Sequence, residues 1–226
     1  MLTKNERTND AIRRNDVLSR VRTASREKLV DDALVQEVEK GAVICQQGAP
    51  ALRFWLVTRG EVKLVKYSSK GAAVSIDIVL PNQVFGAVFY DRDPVYPWSA
   101  VAMGPAELLS FRLRDLVDDL ENNPPLQKRL LAETCYKLCQ AQQMRVLWLE
   151  EARVRIAHLL LYLYEKFGRM IPQTRATLAE LAGTSVETAI RISNALARRG
   201  ILVTRRGQIE ITSLAGLRAC AEGGGW

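Results

Sequence analysis

Apolar positions along the chain fall into successive patterns. Residues 1 to about 30 carry Ile12, Val17, Leu18, Val21 and Leu29 among many charges, which predicts one or two amphipathic helices. From about Leu34 to Leu113 the apolar residues come in short runs: VEKGAVICQQG, LRFWLVTRGEVKLVKYS, SIDIVLPNQVFGAVFY and WSAVAMGPAELLSFRL. Turn signals separate them at Gly41, Gly48, Gly60, Gly71, Pro81-Asn82, Gly86 and Gly104-Pro105. Short strands at this spacing predict a β-sandwich or barrel. Asn122-Asn123-Pro124-Pro125 then marks a break, and Pro125 suits the first turn of a helix. From Leu126 to about Glu151 there is no Gly or Pro, and Leu126, Leu130, Leu131, Leu138, Ala141, Leu147 and Trp148 recur at helical intervals. One helix of roughly 25 residues, about 38 Å long, follows from that spacing. A further amphipathic helix, ARVRIAHLLLYLYEKFG, comes after a hinge near residues 150–155.

The segment TRATLAELAGTSVETAIRISNALARRGIL, from Thr174 to Leu202, reads as two short helices around a tight turn. Leu178, Ala179, Leu181 and Ala182 give the first a small apolar face. Gly183 breaks it, as a position suited to positive φ. Ser185 stands where an N-cap belongs. The second helix places Ala189, Ile192, Ala195 and Leu196 on one side. Val186, Glu187, Ile190 and Arg191 lie elsewhere on it, near its start. A helix pair of this kind carries the start of its second helix into a DNA major groove. There an Arg can bond guanine O6 and N7, and a Glu can accept from cytosine N4. Taken alone, Glu187 and Arg191 would read as an i,i+4 ion pair on a solvated face. The cap, the turn glycine and the apolar spacing favour base contact. So does the hairpin that follows, with strands Ile201–Arg205 and Gln208–Thr212 around Arg206-Gly207. It reads as a wing with a basic tip.

Charge sharpens this. The 226 residues carry a net +7. Between Arg153 and Arg218 stand eleven Lys/Arg against four Asp/Glu, so the C-terminal third alone holds an excess of seven positive charges. Such a surface favours a polyanion, and phosphate neutralisation gives salt-dependent affinity for nucleic acid. No run of 18 apolar residues exists, so no membrane span is expected. The polar N-terminus lacks a secretory apolar region, so a cytoplasmic location with reduced cysteines is expected. No nucleophile–base pair, metal set or phosphate-binding glycine loop supports an enzyme. The closing GGGW is expected to be disordered and has no assigned role.

A long apolar stripe needs a partner. A second copy of the chain, in a parallel coiled coil about a two-fold axis, is the expected one; packing on the β domain alone is the alternative. The residues expected at that interface are Leu126, Leu130, Leu138, Ala141 and Trp148. A dimer would set two recognition helices about one DNA turn apart, matching a palindromic site.

The order of parts, with TRATLAELAGTSVETAIR as its most specific stretch, resembles the bacterial Crp/Fnr superfamily: cyclic-AMP receptor proteins and fumarate–nitrate reduction regulators. The family pattern is T-R-x-x-L/I-A/G-x-x-x-G-x-S-x-E-T-x-x-R. RIAHLLLYL, Gly48 and Gly60 also match, and the resemblance spans about residues 34–213. It implies an α+β fold: an N-terminal double-stranded β-helix (jelly-roll, cyclic-nucleotide-binding-like) domain, a long dimerisation helix and a C-terminal winged helix-turn-helix. The expected divisions are 1–30 (N-terminal helical segment), 31–121 (β-roll sensor), 122–152 (long helix) and 153–226 (DNA-binding domain). The resemblance places Glu187, Arg191, Val186 and Ile190 at bases. It places Thr174, Arg175, Ser185 and Thr188 at phosphates or the helix cap, with Arg206 at the wing. Val186 stands where the oxygen-regulator branch has Val and cyclic-AMP receptors have Arg, so specificity resembles that branch and a TGA-type half-site is expected. Ile190 departs from that branch's small polar residue. Double-stranded DNA, a second copy of the chain and RNA polymerase are the expected partners.

Cyclic-nucleotide receptors of the family use an F-G-E run and an Arg-Ser or Arg-Thr pair. Here these read Phe85-Gly86-Ala87 and Trp98-Ser99. Both charged groups are missing, and Arg92, a candidate substitute, lies between Asp91 and Asp93. The expectation is therefore a sensor that does not use cyclic AMP, its cofactor or effector unknown. The candidate effector pocket comprises Phe85, Gly86, Ala87, Tyr96, Trp98 and Ser99. Trp55, Phe54, Phe89 and Tyr90 add to the aromatic content of this region, either as core or as pocket lining. The alternatives are a cyclic-nucleotide receptor with a rebuilt pocket, or a thiol-based regulator using Cys135 and Cys139, which lie one turn apart. The four cysteines are Cys45, Cys135, Cys139 and Cys220; residues 1–44 contain none, which argues against the family's N-terminal iron–sulfur cluster. His158 is expected to be structural rather than a haem ligand.

Overall fold

In this computed structural model, residues 3–71, 73–87 and 93–224 are described, apart from the side chain of Met144. Phe89, Tyr90 and Arg92, named above, lie outside the described residues. The chain divides into two compact units, residues 1–136 and 137–226.

In the first unit, α1 (Lys4–Arg14), a 3₁₀ turn (Leu18–Arg20) and α2 (Thr23–Asp32) precede the β-roll. Thr3 and Glu6 form a reciprocal capping box at the start of α1. The roll contains β1 (Leu34–Val38), β2 (Val43–Cys45), β3 (Arg53–Arg59), β4 (Val62–Tyr67), β5 (Ala73–Val79), β6 (Val84–Phe85), β7 (Ser99–Ala102) and β8 (Ala106–Arg112). These make two antiparallel four-stranded sheets, in the orders β1-β8-β3-β6 and β2-β7-β4-β5. β3 is buried on both faces from Phe54 to Val57, as a strand sandwiched between two layers must be. Alternation sends Phe54 and Trp55 to opposite faces. Phe54 stacks on its cross-strand neighbour Phe111, ring centroids 5.1 Å apart, and Trp55 on Phe85 at 5.3 Å.

Ile12, Leu18 and Leu29 share one core with the roll, each fully buried. The N-terminal helices are thus a layer of this unit. Polar contacts fix them: Asn15 Nδ2 donates to the Asn82 carbonyl at 2.7 Å, and Asn82 Nδ2 donates to the Arg14 carbonyl at 3.0 Å. After α3 (Leu113–Leu120), Asp119 accepts from Arg22 Nε at 2.6 Å, Ser25 Oγ at 2.8 Å and Asn123 Nδ2 at 2.5 Å.

The long helix, α4, runs from Pro124 to Leu147, inside the expected 122–152. Asn123 Oδ1 accepts from the Leu126 N–H at 3.2 Å, so Asn123 caps it and Pro124 takes the first helical position. The helix stops at Leu147, short of the expected Glu151, and Trp148 lies beyond it. In the second unit, α5 (Ala152–Phe167), α6 (Arg175–Ala182), α7 (Val186–Arg198) and α8 (Leu214–Ala221) join a sheet of β9 (Met170–Ile171), β10 (Leu202–Arg205) and β11 (Gln208–Ile211) in the order β10-β11-β9. The wing strands are one residue shorter at their outer ends than expected. α8, which sequence patterning left unassigned, packs on α5, and Ser213 Oγ caps it by accepting from the Gly216 N–H.

Candidate nucleic-acid interface

The turn between α6 and α7 is fixed at both ends. Thr174 Oγ1 accepts from the Thr177 N–H at 3.1 Å and caps α6. Gly183 ends α6 in the left-handed region, φ 57°, ψ 49°, while the Thr184 N–H reaches back to the Ala179 carbonyl at 3.0 Å. Ser185 Oγ then accepts from the Thr188 N–H at 3.2 Å and caps α7. Ala189, Ile192 and Leu196 bury one face of α7, and Leu178, Ala179, Leu181 and Ala182 bury the facing side of α6.

With that face buried, the opposite face of α7 is open. Val186, Glu187, Arg191 and Asn194 are exposed, and Ile190 is half-buried. Glu187, Ile190, Arg191, Asn194, Ala197 and Arg198 line one open hollow along the helix. The Glu187 carboxyl is held below the usual carboxylate range by its own backbone N–H and by the Ser185 hydroxyl. Among the described residues neither Glu187 nor Arg191 joins an ion pair, so the i,i+4 bridge that spacing alone suggests is not formed. The two groups stand apart, with hydrogen-bonding capacity left for base edges. Arg175 Nη1 reaches Asn194 Oδ1 at 3.5 Å, linking the start of α6 to the exposed side of α7.

Beside α7 the wing closes in a two-residue turn, with Arg205 paired to Gln208 in register and Arg206 exposed at the tip. Glu210 binds Arg169 at 2.9 Å and Arg205 at 3.6 Å, and among the described residues Arg206 at the tip joins no ion pair.

Sequence reasoning missed Arg155 and the intrachain contacts of Trp148. Arg155 Nε donates to the Ala182 carbonyl at 3.0 Å and Nη2 to the Gly183 carbonyl at 3.3 Å, a cationic cap on the last turn of α6. Nη1 donates to the Glu150 carbonyl at 2.8 Å. The guanidinium lies 5.6 Å from the Trp148 ring, and that ring lies over Gly183. Trp148, expected on a dimer seam, packs on Gly183 and Arg155 of its own DNA-binding unit and stays 47% exposed. The only sequence signal was an Arg at the end of the hinge, in the first turn of α5, which periodicity cannot distinguish from a solvated charge.

The other expected sites divide as follows. Leu126 is fully buried in the core of the first unit, so it offers no surface to a second subunit. Leu130 is half-buried against the same core. Leu138 and Ala141 are exposed, and so are Leu131, Cys135 and Cys139. The expected effector-pocket residues pack largely on one another. Phe85 and Tyr96 are buried, and Trp98 tilts onto both at 6.3 and 6.4 Å. A Cβ on Gly86 would lie 2.8 Å from the Trp55 ring. Ser99 Oγ accepts from the Gln47 N–H at 2.9 Å, and Tyr96 Oη donates to the Arg53 carbonyl at 2.7 Å. These side chains fill one another's space as core. Ala87 is half-buried at their edge. His158 is half-buried on α5. Among the described residues no His/Cys/Asp/Glu cluster could hold a metal, and no helix is long and apolar enough to cross a membrane.

A capped helix pair with an open second helix and a basic β-wing, in a chain that also carries a β-roll, defines a winged helix-turn-helix DNA-binding protein with a sensor-type domain. Comparison with known proteins agrees. Residues 35–123 match the cyclic nucleotide-binding domain family, and residues 154–220 the Crp-like helix-turn-helix family. The Cyclic AMP receptor protein of Thermus thermophilus is 31% identical over 186 residues, covering 81% of this chain and 86% of that protein. The Global nitrogen regulator of Nostoc sp. is 25% identical over 191 residues, covering 79% and 85%. The solved structure of FixK2 from Bradyrhizobium japonicum superposes with a TM-score of 0.75 at 23% identity, covering 83% of this chain and 96% of that one, a likeness of fold. The chain belongs to the Crp/Fnr superfamily of transcription regulators.

Proposed function

We propose that the protein binds a palindromic promoter site as a homodimer, reads bases through Glu187 and Arg191, and answers a signal other than cyclic AMP. The open, unpaired Glu187–Arg191 face of α7 is the observation that carries this reading. Val186 and Ile190 flank the two polar groups and would contact base edges by packing. Thr174, Arg175, Ser185, Thr188 and Arg206 would meet phosphates. The hydroxyls of Thr174 and Ser185 already cap their helices, so their contribution to DNA is to hold helix N-termini toward the backbone.

One relative is named for cyclic AMP, yet this chain has Ala87 and Trp98 where that ligand's ribose and phosphate would need a carboxylate and a guanidinium. A buried phosphate without a cation loses its compensation for desolvation. The aromatic fill of the same region favours a signal of different chemistry.

The test is competition binding after selection of preferred duplexes. Arg191→Ala should cost about 1–3 kcal/mol at one base step and relax discrimination there. Arg206→Ala should weaken all duplexes alike and reduce the salt slope by about 1. Equal losses on selected and random duplexes for both variants would sink the assigned roles.

A further inference from the structure

α4 carries two apolar surfaces of different fate. Its first turns sink Leu126 and Leu130 into or against the core of the first unit. Further along, Leu131, Leu138 and Val146 are 65%, 56% and 62% exposed, with Cys135 and Cys139 exposed among them. At 100° per residue these five residues form one continuous stripe. Leu131 and Leu138 lie on one side of it and Cys139 on the other. Cys135 and Gln142 run along its middle. Leu131, Cys135, Leu138 and Gln142 follow alternating steps of four and three, the spacing of a two-stranded seam.

That repeat selects a second copy of the same helix as the occupant of the stripe. In a parallel two-fold pair each midline residue faces its own counterpart. Cys135 then meets Cys135, whereas Cys139, at the flank, does not meet Cys139. Within one subunit the two thiols make a poor pair. Side chains at i and i+4 have Cβ atoms about 5–6 Å apart, while a disulfide needs about 3.5–4.5 Å. The other cysteines are enclosed: burial pushes the Cys45 thiol up to about 12, and Cys220 is fully buried.

We propose that Cys135 is a redox modification site, forming an intersubunit disulfide with the partner subunit's Cys135 and so locking the dimer covalently. This rests on the dimer reading above. The oxidant is a peroxide. One Cys135 thiolate attacks a peroxide oxygen, the O–O bond breaks, and a sulfenic acid forms with release of water. The partner subunit's Cys135 thiolate then attacks that sulfur; the S–S bond forms and the S–O bond breaks, releasing a second water. Two thiols lose two electrons in total, and the peroxide gains them. The lock keeps two DNA-binding units together at dilutions where a non-covalent pair would separate.

The test uses the full chain at submicromolar concentration, reduced and then treated with hydrogen peroxide, alongside Cys135→Ser and Cys139→Ser. The oxidised wild type and Cys139→Ser should run at twice the 25.3 kDa subunit mass on non-reducing gels, reversibly with dithiothreitol. Peptide mass mapping should show Cys135 joined to Cys135, and Cys135→Ser should stay uncrosslinked. Sedimentation of the reduced protein separates the two readings. A reduced dimer that gives no crosslink, a Cys135–Cys139 loop, or crosslinking that depends on Cys139 overturns this proposal alone. A reduced monomer overturns the dimer reading itself, and this proposal with it.

Discussion

Replacing Gly183 by Ala tests the geometry of the DNA-binding turn at its tightest point. Two costs arise. Gly183 sits at φ 57°, ψ 49°, where any residue with a Cβ loses roughly 1 kcal/mol relative to Gly. The new Cβ would also lie 2.1 Å from Trp148 Cη2 and 2.4 Å from Cζ3. The indole must swing away, since the backbone at Gly183 is held by Arg155. It then loses its place against the Arg155 guanidinium, about 0.5–1 kcal/mol at an exposed site, together with its apolar contact on the turn. The expected total for Gly183→Ala is about 2–3 kcal/mol. With Trp148→Ala already present, the steric part vanishes and the same substitution should cost only about 1 kcal/mol. The coupling, about 1–2 kcal/mol, exceeds the scatter of about 0.3–0.5 expected of independent sites. Hydrogen exchange at the α6 and α7 amides measures it, because it reports the opening free energy of this unit separately from the β-roll. Additive costs in the double variant would refute the contact between Trp148 and Gly183.

Two further outcomes follow from the first unit and the long helix. Burial pushes the Asp119 carboxyl up, but hydrogen bonds from Arg22, Asn123 and Ser25 outweigh it and hold the group below its ordinary value. A depressed folded value means that its stabilisation is complete above the unfolded value, about 3.9, and is lost as pH falls through the folded one. Asp119→Asn should therefore cost about 1.5–3 kcal/mol at neutral pH, with the gap to wild type closing only in acid; urea unfolding at pH 7 and pH 3 checks this, and a pH-independent gap would count against it. On α4, Leu126→Ala should cost about 2–5 kcal/mol of stability, whereas Leu138→Ala should leave stability within about 0.5 kcal/mol while weakening self-association in sedimentation.

Legibility in the sequence tracked how local each cause is. The α6–α7 pair was readable in detail because its signals are short-range: Thr174 and Ser185 cap by bonds three residues on, and Gly183 ends a helix through its own φ. The β-roll was readable as short strands with turns, but the pairing of β1 with β8, across some seventy residues, is set by tertiary burial. α4 was the hardest case. Its apolar positions serve two surfaces, so one periodic pattern merged Leu126, which belongs to the core, with Leu138, which does not. Leu131 and Cys135, exposed on the same stripe as Leu138, were not separated from the core positions for the same reason. α8 was overlooked although Ser213, Leu214 and Leu217 offered a cap and a beginning of periodicity; an eight-residue helix gives periodicity too little length to register.

The aromatic region of the β-roll shows how one substitution set changes what a fold can sense. In a site that holds an anionic ligand, charged groups stay paired only while the ligand is present, and the empty site carries a desolvation cost. Here Trp98 and Ala87 remove both charges. Trp55, Phe85, Tyr96 and Trp98 then pack in a chain of ring contacts between 5.3 and 6.4 Å. Their polar edges are satisfied internally, Trp55 Nε1 by Gln36 at 2.8 Å and Tyr96 Oη by the Arg53 carbonyl. Rings packed in this way leave no charged group waiting for an anionic ligand, although Trp98 and Ala87 stay half-buried at the edge. On the redox proposal above, control of DNA binding acts also through a part of the chain whose state is still variable. The exposed stripe of α4, with Cys135 at its midline, has that property, because in the proposed dimer its burial depends on association rather than on folding.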